Sequence, residues 1–531
     1  MAENQTNKLV KGAFLLTLAG VISKVLSAGY RIPLQNLTGD IGYYVYQQIY
    51  PLLGMITILS LYGFPSAISK LTAEMNEDEK HHSLRSFYLP LLLIMIGISG
   101  GLFTLLYFSA QPIATAIGDE KLKTAYQLVA VAFLFIPFTS LLRGSFQGNM
   151  QMKPTAYSQI GEQVVRVLLI VLIAYLFSKQ TIGLYKIGEF AVLASMIGAG
   201  IALLILVVFF IKSKPINHFQ YKIPWGHYFQ TIFTLGIVAS LNHMVLLIIQ
   251  FADVFTLVPG LLEYGLSNTE AMEAKGVFDR GQPLIQLGTV LGSSFALALI
   301  PALSKRRLEE DPAKFRGYIE GVFLFSFYLA AGAVIGLVMI VPETNTLLFQ
   351  NTKGTTSLRI LSFAIFLSSI SITGASVLQG LGYFKRSAGM IVGAFLIKWM
   401  ANQLLVPIWG INGSAIATVL SLFVLCMVIF IELKRNVPAL VVMKQINRSA
   451  FGKASACMVI YITFIGYLIP YETLQSRLFL LLYVAWIAIT GAVIYFYILL
   501  KSRAFTKDEL TLLPYSTLFI KIHRGREFIE K

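Results

Sequence analysis

The chain has 531 residues, of which 56% are hydrophobic, 13% aromatic and only 13% charged, with a formal net charge of +16 and a mean hydropathy of +0.72. Soluble domains are about 45–50% apolar and ~25% charged, so an ordinary water-soluble chain is excluded, and the aromatic content excludes disorder. Apolar runs that continue for ~20 residues without alternation exclude a β-barrel, and basic residues confined to the short segments between those runs point to membrane topology, not to nucleic acid.

After a polar start (Met1 to Lys11), about fourteen apolar stretches are long enough to span a bilayer. They lie at about 12–33, 43–64, 87–108, 124–147, 155–177, 188–211, 229–252, 281–303, 318–341, 358–381, 387–408, 411–433, 450–470 and 478–500. The first is long enough to be a retained helix and not a cleaved signal. The second and eleventh are the weakest, because they contain Pro51 and Lys398. Both cysteines, Cys426 and Cys457, fall inside apolar runs, so no disulfide framework or Cys/His metal site can be built. The stretch Lys70 to Arg85 reads as a solvated connection, and the rings of its adjacent His81 and His82 diverge too far to share a metal. The longest outer segment runs from about Asp253 to Arg280, and within it Ser267 followed by Glu270 has the spacing of a capping box. No segment is large enough for a soluble catalytic domain.

Orientation follows from the basic clusters Lys305-Arg306-Arg307 with Lys314 and Arg316, Lys434-Arg435 with Lys444, Arg448 and Lys453, and the tail from Lys501 to Lys531. Placing both termini on the cytoplasmic side leaves roughly three inner basic residues for each outer one. The chain also carries an internal repeat. Ala67-Ile68-Ser69-Lys70 ends the second span and Ala302-Leu303-Ser304-Lys305 the eighth; Gln147-Gly148 ends the fourth and Gln379-Gly380 the tenth. The same register sets Arg166 of the fifth span on Lys398 of the eleventh. The expected fold is therefore an all-α integral membrane protein of about fourteen transmembrane helices: two six-helix lobes in parallel repeat, 1–215 and 216–435, with two C-terminal helices and a cytoplasmic tail in 436–531. The linker between the lobes is Lys212 to His227.

A charge held at the bilayer centre costs at least ~2.5–3.5 kcal/mol, so charged residues within spans face a cavity or a partner. Lys24 and Arg31 are two turns apart on one helix face; Arg31 lies near enough to the interface that snorkelling also accounts for it. Arg166 either pairs with Glu162, one turn before it, or faces a substrate. Lys398 has no acidic residue within a turn. Asp279 and Arg280 open the eighth span as neighbours that cannot face each other, so they line a site or anchor the helix at the interface. Asp253, preceded by Asn242, His243 and Gln250, binds a cation or marks a helix end. The intramembrane bias is cationic, which suits an anionic substrate. Nucleophile elbows, P-loops and zinc motifs are absent, so the chain reads as a carrier and not an enzyme, with no bound cofactor and no ATP machinery.

The run Ile22-Ser23-Lys24-Val25-Leu26, then Tyr30-Arg31-Ile32-Pro33, Gly39-Asp40 and an aromatic-rich second helix resembles bacterial polysaccharide-biosynthesis membrane proteins of the SpoVB/MurJ kind. Asp279-Arg280, with Pro301 to Lys305 ending the same helix, is similar to the eighth helix of MurJ-type lipid II flippases, in a superfamily that also contains multidrug exporters. The resemblance covers essentially the whole chain. It implies a flippase that moves an undecaprenyl-diphosphate-linked oligosaccharide, lipid II first among them, across the bacterial cytoplasmic membrane by alternating access, for cell-wall or spore-cortex synthesis. Another lipid-linked polysaccharide unit, or drug export, is the alternative.

Carried over by position, the resemblance implies substrate contacts at Lys24, Arg31, Asp40, Asp279 and Arg280, to which charge near mid-depth in the span adds Arg166 and Lys398. It departs from the family in two respects: no basic residue lies between Tyr43 and Phe64, and Asp40 matches the family's acidic residue of that region only loosely. Similarity to sodium-coupled carriers of this family implies a cation site near helices 7, 11 and 12, with Asp253, Asn402 and Thr418 the nearest candidates and Lys398 one turn from Asn402. Na⁺ or the membrane potential would then drive transport. The expected partners are the lipid-linked oligosaccharide, membrane lipids and the cell-wall synthesis machinery, with no nucleic acid. A membrane glycosyltransferase would need an acid or base presented on sizeable outer loops, and a transport-free scaffold for wall synthesis remains a third reading.

Overall fold

The computed structural model describes residues 2–77, 83–213, 222–299, 312–438, 440–441, 445–474, 476–506 and 509–510. The pair His81-His82, the cluster Lys305-Arg306-Arg307 with the second copy of the repeat motif, Lys444 and the tail beyond 510 lie outside the described residues. Among the described residues the chain is helical, with no β-strand.

Among the described residues, eleven helices are long and apolar enough to cross a membrane. Two of them are double. In the first, 18–76, the path breaks at Gly39 (φ 69°, ψ −176°). In the second, 384–436, it breaks at Gly410 (φ 56°, ψ −138°). In each case the chain turns back on itself. The rings of Tyr30 and Tyr46 lie 6.1 Å apart and Lys398 reaches Ser414 at 2.7 Å, although sixteen residues of straight helix span ~24 Å. Counting each double helix as two and including Gly281–Leu299, the helices follow the fourteen expected spans, and the expected boundary between spans eleven and twelve falls on Gly410.

The seventh expected span is the irregular one. It runs as Trp225–Thr231, a π-helical stretch Ile232–Val238, a 3₁₀ stretch Ala239–His243 and then Val245–Glu263. The irregularity coincides with a close crossing: a Cβ on Gly63 would come within 2.4 Å of the Gly236 carbonyl, and one on Gly236 within 2.5 Å of the Phe64 ring. Small residues let two backbones approach this closely in a bundle that lacks a hydrophobic drive between helices. The short helix Asn268–Asp279 begins at the expected capping box. Ser267 N–H donates to Glu270 at 2.9 Å, and these bonds hold the Glu270 carboxyl below its ordinary range.

The chain packs as two compact units, one of residues 1–287 and 383–421, the other of 288–382 and 422–531. This division is by packing, a different property from the sequence repeat that defined the lobes 1–215 and 216–435. The first unit is threaded by polar side chains. The second has an aromatic centre in which Tyr495 donates to the Tyr328 carbonyl at 3.0 Å and Phe505 stacks 4.9 Å from Phe325. Each unit holds one buried hydroxyl pair of equal sequence separation: Ser60 with Thr139 at 2.8 Å, and Thr289 with Ser368 at 2.7 Å, each 79 residues apart.

The Gly39 conformation is open to glycine alone and costs other residues about 1–3 kcal/mol. Gly39→Ala should therefore lower the thermal midpoint of the purified protein. Gly29→Ala, where a Cβ meets nothing within 4 Å, should leave it unchanged. Equal midpoints for the two variants would contradict the hinge geometry.

Candidate functional site

The first unit contains a chain of buried charges at the end of the bundle where Gly39 and Gly410 turn the chain. Arg280, fully buried, grips Asp40 with two nitrogens: Nη2 lies 2.6 Å from each carboxylate oxygen and Nε 2.9 Å from Oδ1. Gln35 donates to the same Oδ1 at 2.9 Å. Helix Asn268–Asp279 presses against this point, since a Cβ on Gly276 would stand 2.1 Å from the Asp40 carbonyl oxygen. One residue before Arg280, Asp279 pairs with Lys275 at 2.6 Å, both fully buried. Asp279 and Arg280 thus face different partners, as adjacent helical positions must, and neither is an interfacial anchor.

Lys398 finds its carboxylate on another helix. Its ammonium lies 2.8 Å from Asp253 Oδ1, 2.7 Å and 2.9 Å from the Ser414 carbonyl and hydroxyl, and 2.6 Å from the Thr418 hydroxyl. Asn402 donates to Asp253 Oδ1 and to the Thr256 hydroxyl, both at 2.7 Å. The expected cation candidates Asp253, Asn402 and Thr418 are therefore brought together, with Lys398 in their midst. Among the described residues no group of three or more His, Cys, Asp or Glu could hold a metal ion.

Arg31 is the exception to this pairing. The helix continues through Tyr30, with Tyr30 N–H donating to Leu26 and Leu34 N–H to Tyr30, yet Arg31 is fully buried, so snorkelling does not describe it. Its Nη2 donates to Gln286 Oε1 at 3.1 Å, and its guanidinium carbon sits 3.8 Å from the centre of the Tyr50 ring. Among the described residues, Nε and Nη1 have no hydrogen-bond partner and no carboxylate forms an ion pair with Arg31. Tyr30, Tyr43, Tyr46 and Tyr50 surround it closely enough to interact electrostatically, and Asp279 is in the same range of both Arg31 and Asp253. Tyr30 and Tyr46 hydroxyls bond each other.

Lys24 differs from Arg31 although they share a helix face. It is exposed, and it acts electrostatically on the exposed His243, whose ring stacks 5.2 Å from Tyr62.

Arg166 pairs with Glu162 at 2.8 Å, and the other Glu162 oxygen takes Arg143 at 2.9 Å. Arg143 also donates to the hydroxyls of Ser158 at 3.1 Å and Ser60 at 2.9 Å. Glu162 and Arg166 line a small cavity of about 20 Å³, with Thr57, Ser60 and Thr139 adding hydroxyls, room for a single water.

Arg143 and Lys275 were missed from sequence. Arg143 lies well inside the apolar run 124–147, so charge in a span would have flagged it; Lys275 sits in a polar stretch where nothing marks it as buried.

Residues 9–306 match the family described as polysaccharide biosynthesis protein. The chain is 36% identical over 524 residues to the uncharacterized membrane protein YabM of Bacillus subtilis (strain 168), covering 97% of each. It is 25% identical to the lipid II flippase MurJ of the same organism, over 81% of this chain and 83% of that one. A solved structure of the lipid II flippase MurJ in an inward closed conformation shares the fold with a TM-score of 0.62, covering 92% of this chain and 99% of that one at 14% identity.

Removing one partner of a buried ion pair costs about 3–5 kcal/mol, because the remaining charge is stranded. Glu162→Ala strands two guanidinium groups and should lower the thermal midpoint more than Lys186→Ala, whose pair with Glu189 is half-exposed. Indistinguishable midpoints would show that Glu162 does not hold the cluster together.

Proposed function

The chain belongs to the polysaccharide biosynthesis protein family, and on that premise we propose that it is a flippase. Its substrate is an undecaprenyl-diphosphate-linked oligosaccharide, lipid II, carried from the inner to the outer leaflet of the cytoplasmic membrane. The observation that supports this reading is Arg31: a fully buried guanidinium with two nitrogens unbonded and no carboxylate. A buried charge left unpaired is costly, and a diphosphate supplies the acceptors that Nε and Nη1 lack. The hydroxyls of Tyr43 and Tyr50 add donors around it, while exposed Lys24 offers a first positive contact. The 25% identical relative named as a lipid II flippase supports the choice among lipid-linked glycans.

In the present conformation Arg280 is taken by Asp40 and Arg31 is sealed from solvent. Access to Arg31 needs that bidentate clasp to open. An anionic headgroup competes with Asp40 for Arg280, so it favours the open state over the closed one, the differential affinity that alternating access requires. With both termini read as cytoplasmic, the headgroup moves outward across an inside-negative potential. That potential favours outward movement of negative charge by about 2.3 kcal/mol per charge per 100 mV, so the membrane potential serves as the drive.

The test is outer-leaflet accessibility of lipid II in cells that have this chain as their sole flippase. Its depletion should abolish accessibility, and continued accessibility would overturn the lipid II reading. Arg31→Gln removes a charged hydrogen-bonding group worth about 1.5–3 kcal/mol and should cut transport about ten- to a hundredfold, with Arg31→Lys retaining more; full transport by Arg31→Gln would remove Arg31 from the site. For the clasp, Asp40→Arg and Arg280→Asp should each fail alone and recover in part when combined, whereas an inactive double variant with intact folding would refute a purely pairwise role.

A further inference from the structure

The surroundings of Lys398 go beyond what an ion pair needs. Its ammonium carries three protons, yet four oxygens stand within 2.9 Å of it: Asp253 Oδ1, the Ser414 carbonyl and hydroxyl, and the Thr418 hydroxyl. An arrangement with more oxygens than protons follows the charge, not the hydrogen-bond directions. Two further buried oxygens, Asp253 Oδ2 and Asn402 Oδ1, have no hydrogen-bond partner. Lys398, Asn402 and Ser414 are fully buried, and Asp253 and Thr418 nearly so. The donor set is all oxygen, as hard cations prefer, and it carries one carboxylate, hence one negative charge. A divalent ion would leave a positive charge stranded in the interior; a monovalent one is neutralised.

We propose that this cage is a monovalent-cation site permanently occupied by the chain's own ammonium, with Lys398 as a tethered stand-in for a dehydrated alkali-metal ion. An ammonium is close to a potassium ion in size and equal to it in charge. The tether does what a bound ion would do: rooted in the arm before the Gly410 break, it joins that arm to Val245–Glu263 through Asp253 and to the arm after the break through Ser414 and Thr418, while Asn402 and Ser414 also bond Asp253 directly. Because the cation is covalently part of the chain, it neither dissociates nor follows an ion gradient, so this site cannot couple transport to Na⁺ or K⁺. Removing the ammonium converts the same oxygens into a vacant site for a free monovalent ion. This inference stands whether or not the substrate is lipid II.

The experiment is thermal unfolding of the purified full-length protein in detergent, in NaCl, KCl or choline chloride at equal ionic strength. The wild type should give one midpoint in all three salts. Lys398→Ala should have a lower midpoint in choline and recover with Na⁺ or K⁺ in a saturable manner, as ligand linkage requires. Adding Asp253→Asn to Lys398→Ala should abolish that recovery. A Lys398→Ala protein that folds but ignores Na⁺ and K⁺ overturns the proposal. Lys398→Asn, which keeps a polar side chain in the cage, provides a second neutral variant under the same criterion should the alanine variant not fold. Independently of either variant, a saturable wild-type response to Na⁺ or K⁺ that disappears in Asp253→Asn also overturns it, because a free ion would then bind beside Lys398.

Discussion

A positive charge inside a membrane-embedded bundle must find a compensating group, and this constraint orders the first unit. Arg280 is held by Asp40, Lys275 by Asp279, Lys398 by Asp253, and Arg143 with Arg166 by Glu162. Each pair ties together segments distant in sequence or stiffens one helix, and in this conformation each occupies its cation, Arg280 included until a headgroup displaces Asp40. Arg31 alone among these cations touches no carboxylate and relies on an amide oxygen and an aromatic face. The distinction between structural and functional charge is thus one of pairing. Depth in the span does not make it: Arg143 and Arg31 are equally buried, yet of these two it is Arg31 that keeps unbonded nitrogens.

Two glycines make this pairing possible. Gly39 and Gly410 adopt backbone conformations that side-chain-bearing residues avoid, so the helices on either side fold back on each other. Behind Gly39 the fold-back brings Tyr46 and Tyr50 to Arg31. Behind Gly410 it brings Ser414 and Thr418 to Lys398. The close seat of Gly276 on the Asp40 backbone completes the arrangement by delivering Lys275, Asp279 and Arg280 to the same end of the bundle. Turn geometry, close approach and charge pairing are therefore one design in which loss of any part strands a charge.

Much of the fold was legible in the sequence, because span length and hydropathy report directly on bilayer thickness. The break between the eleventh and twelfth spans, the capping box at Ser267 and the Arg166–Glu162 pair could all be read from local spacing. What spacing does not encode is which residue on another helix answers a charge. Lys398 has no acid nearby in sequence, and its partner Asp253 lies 145 positions before it. The partners of Asp40, a residue 240 positions away, were equally out of reach. Lys275 carries no local sign of burial, because burial of a short outer helix depends on what packs over it. The tyrosine cage appeared only as an aromatic-rich second helix, since the fold-back at Gly39 is needed to assemble it.

The central claim is that Arg31 is left unpaired to receive a diphosphate. Binding of purified lipid II to the purified protein, set beside an undecaprenyl-linked glycan of the same sugars that lacks both phosphates, tests it most directly. The account predicts that affinity follows the diphosphate, with the neutral lipid bound at least ten times more weakly and the difference collapsing in Arg31→Gln. Equal affinity for the charged and neutral lipids, or a preference unchanged by loss of Arg31, would contradict it.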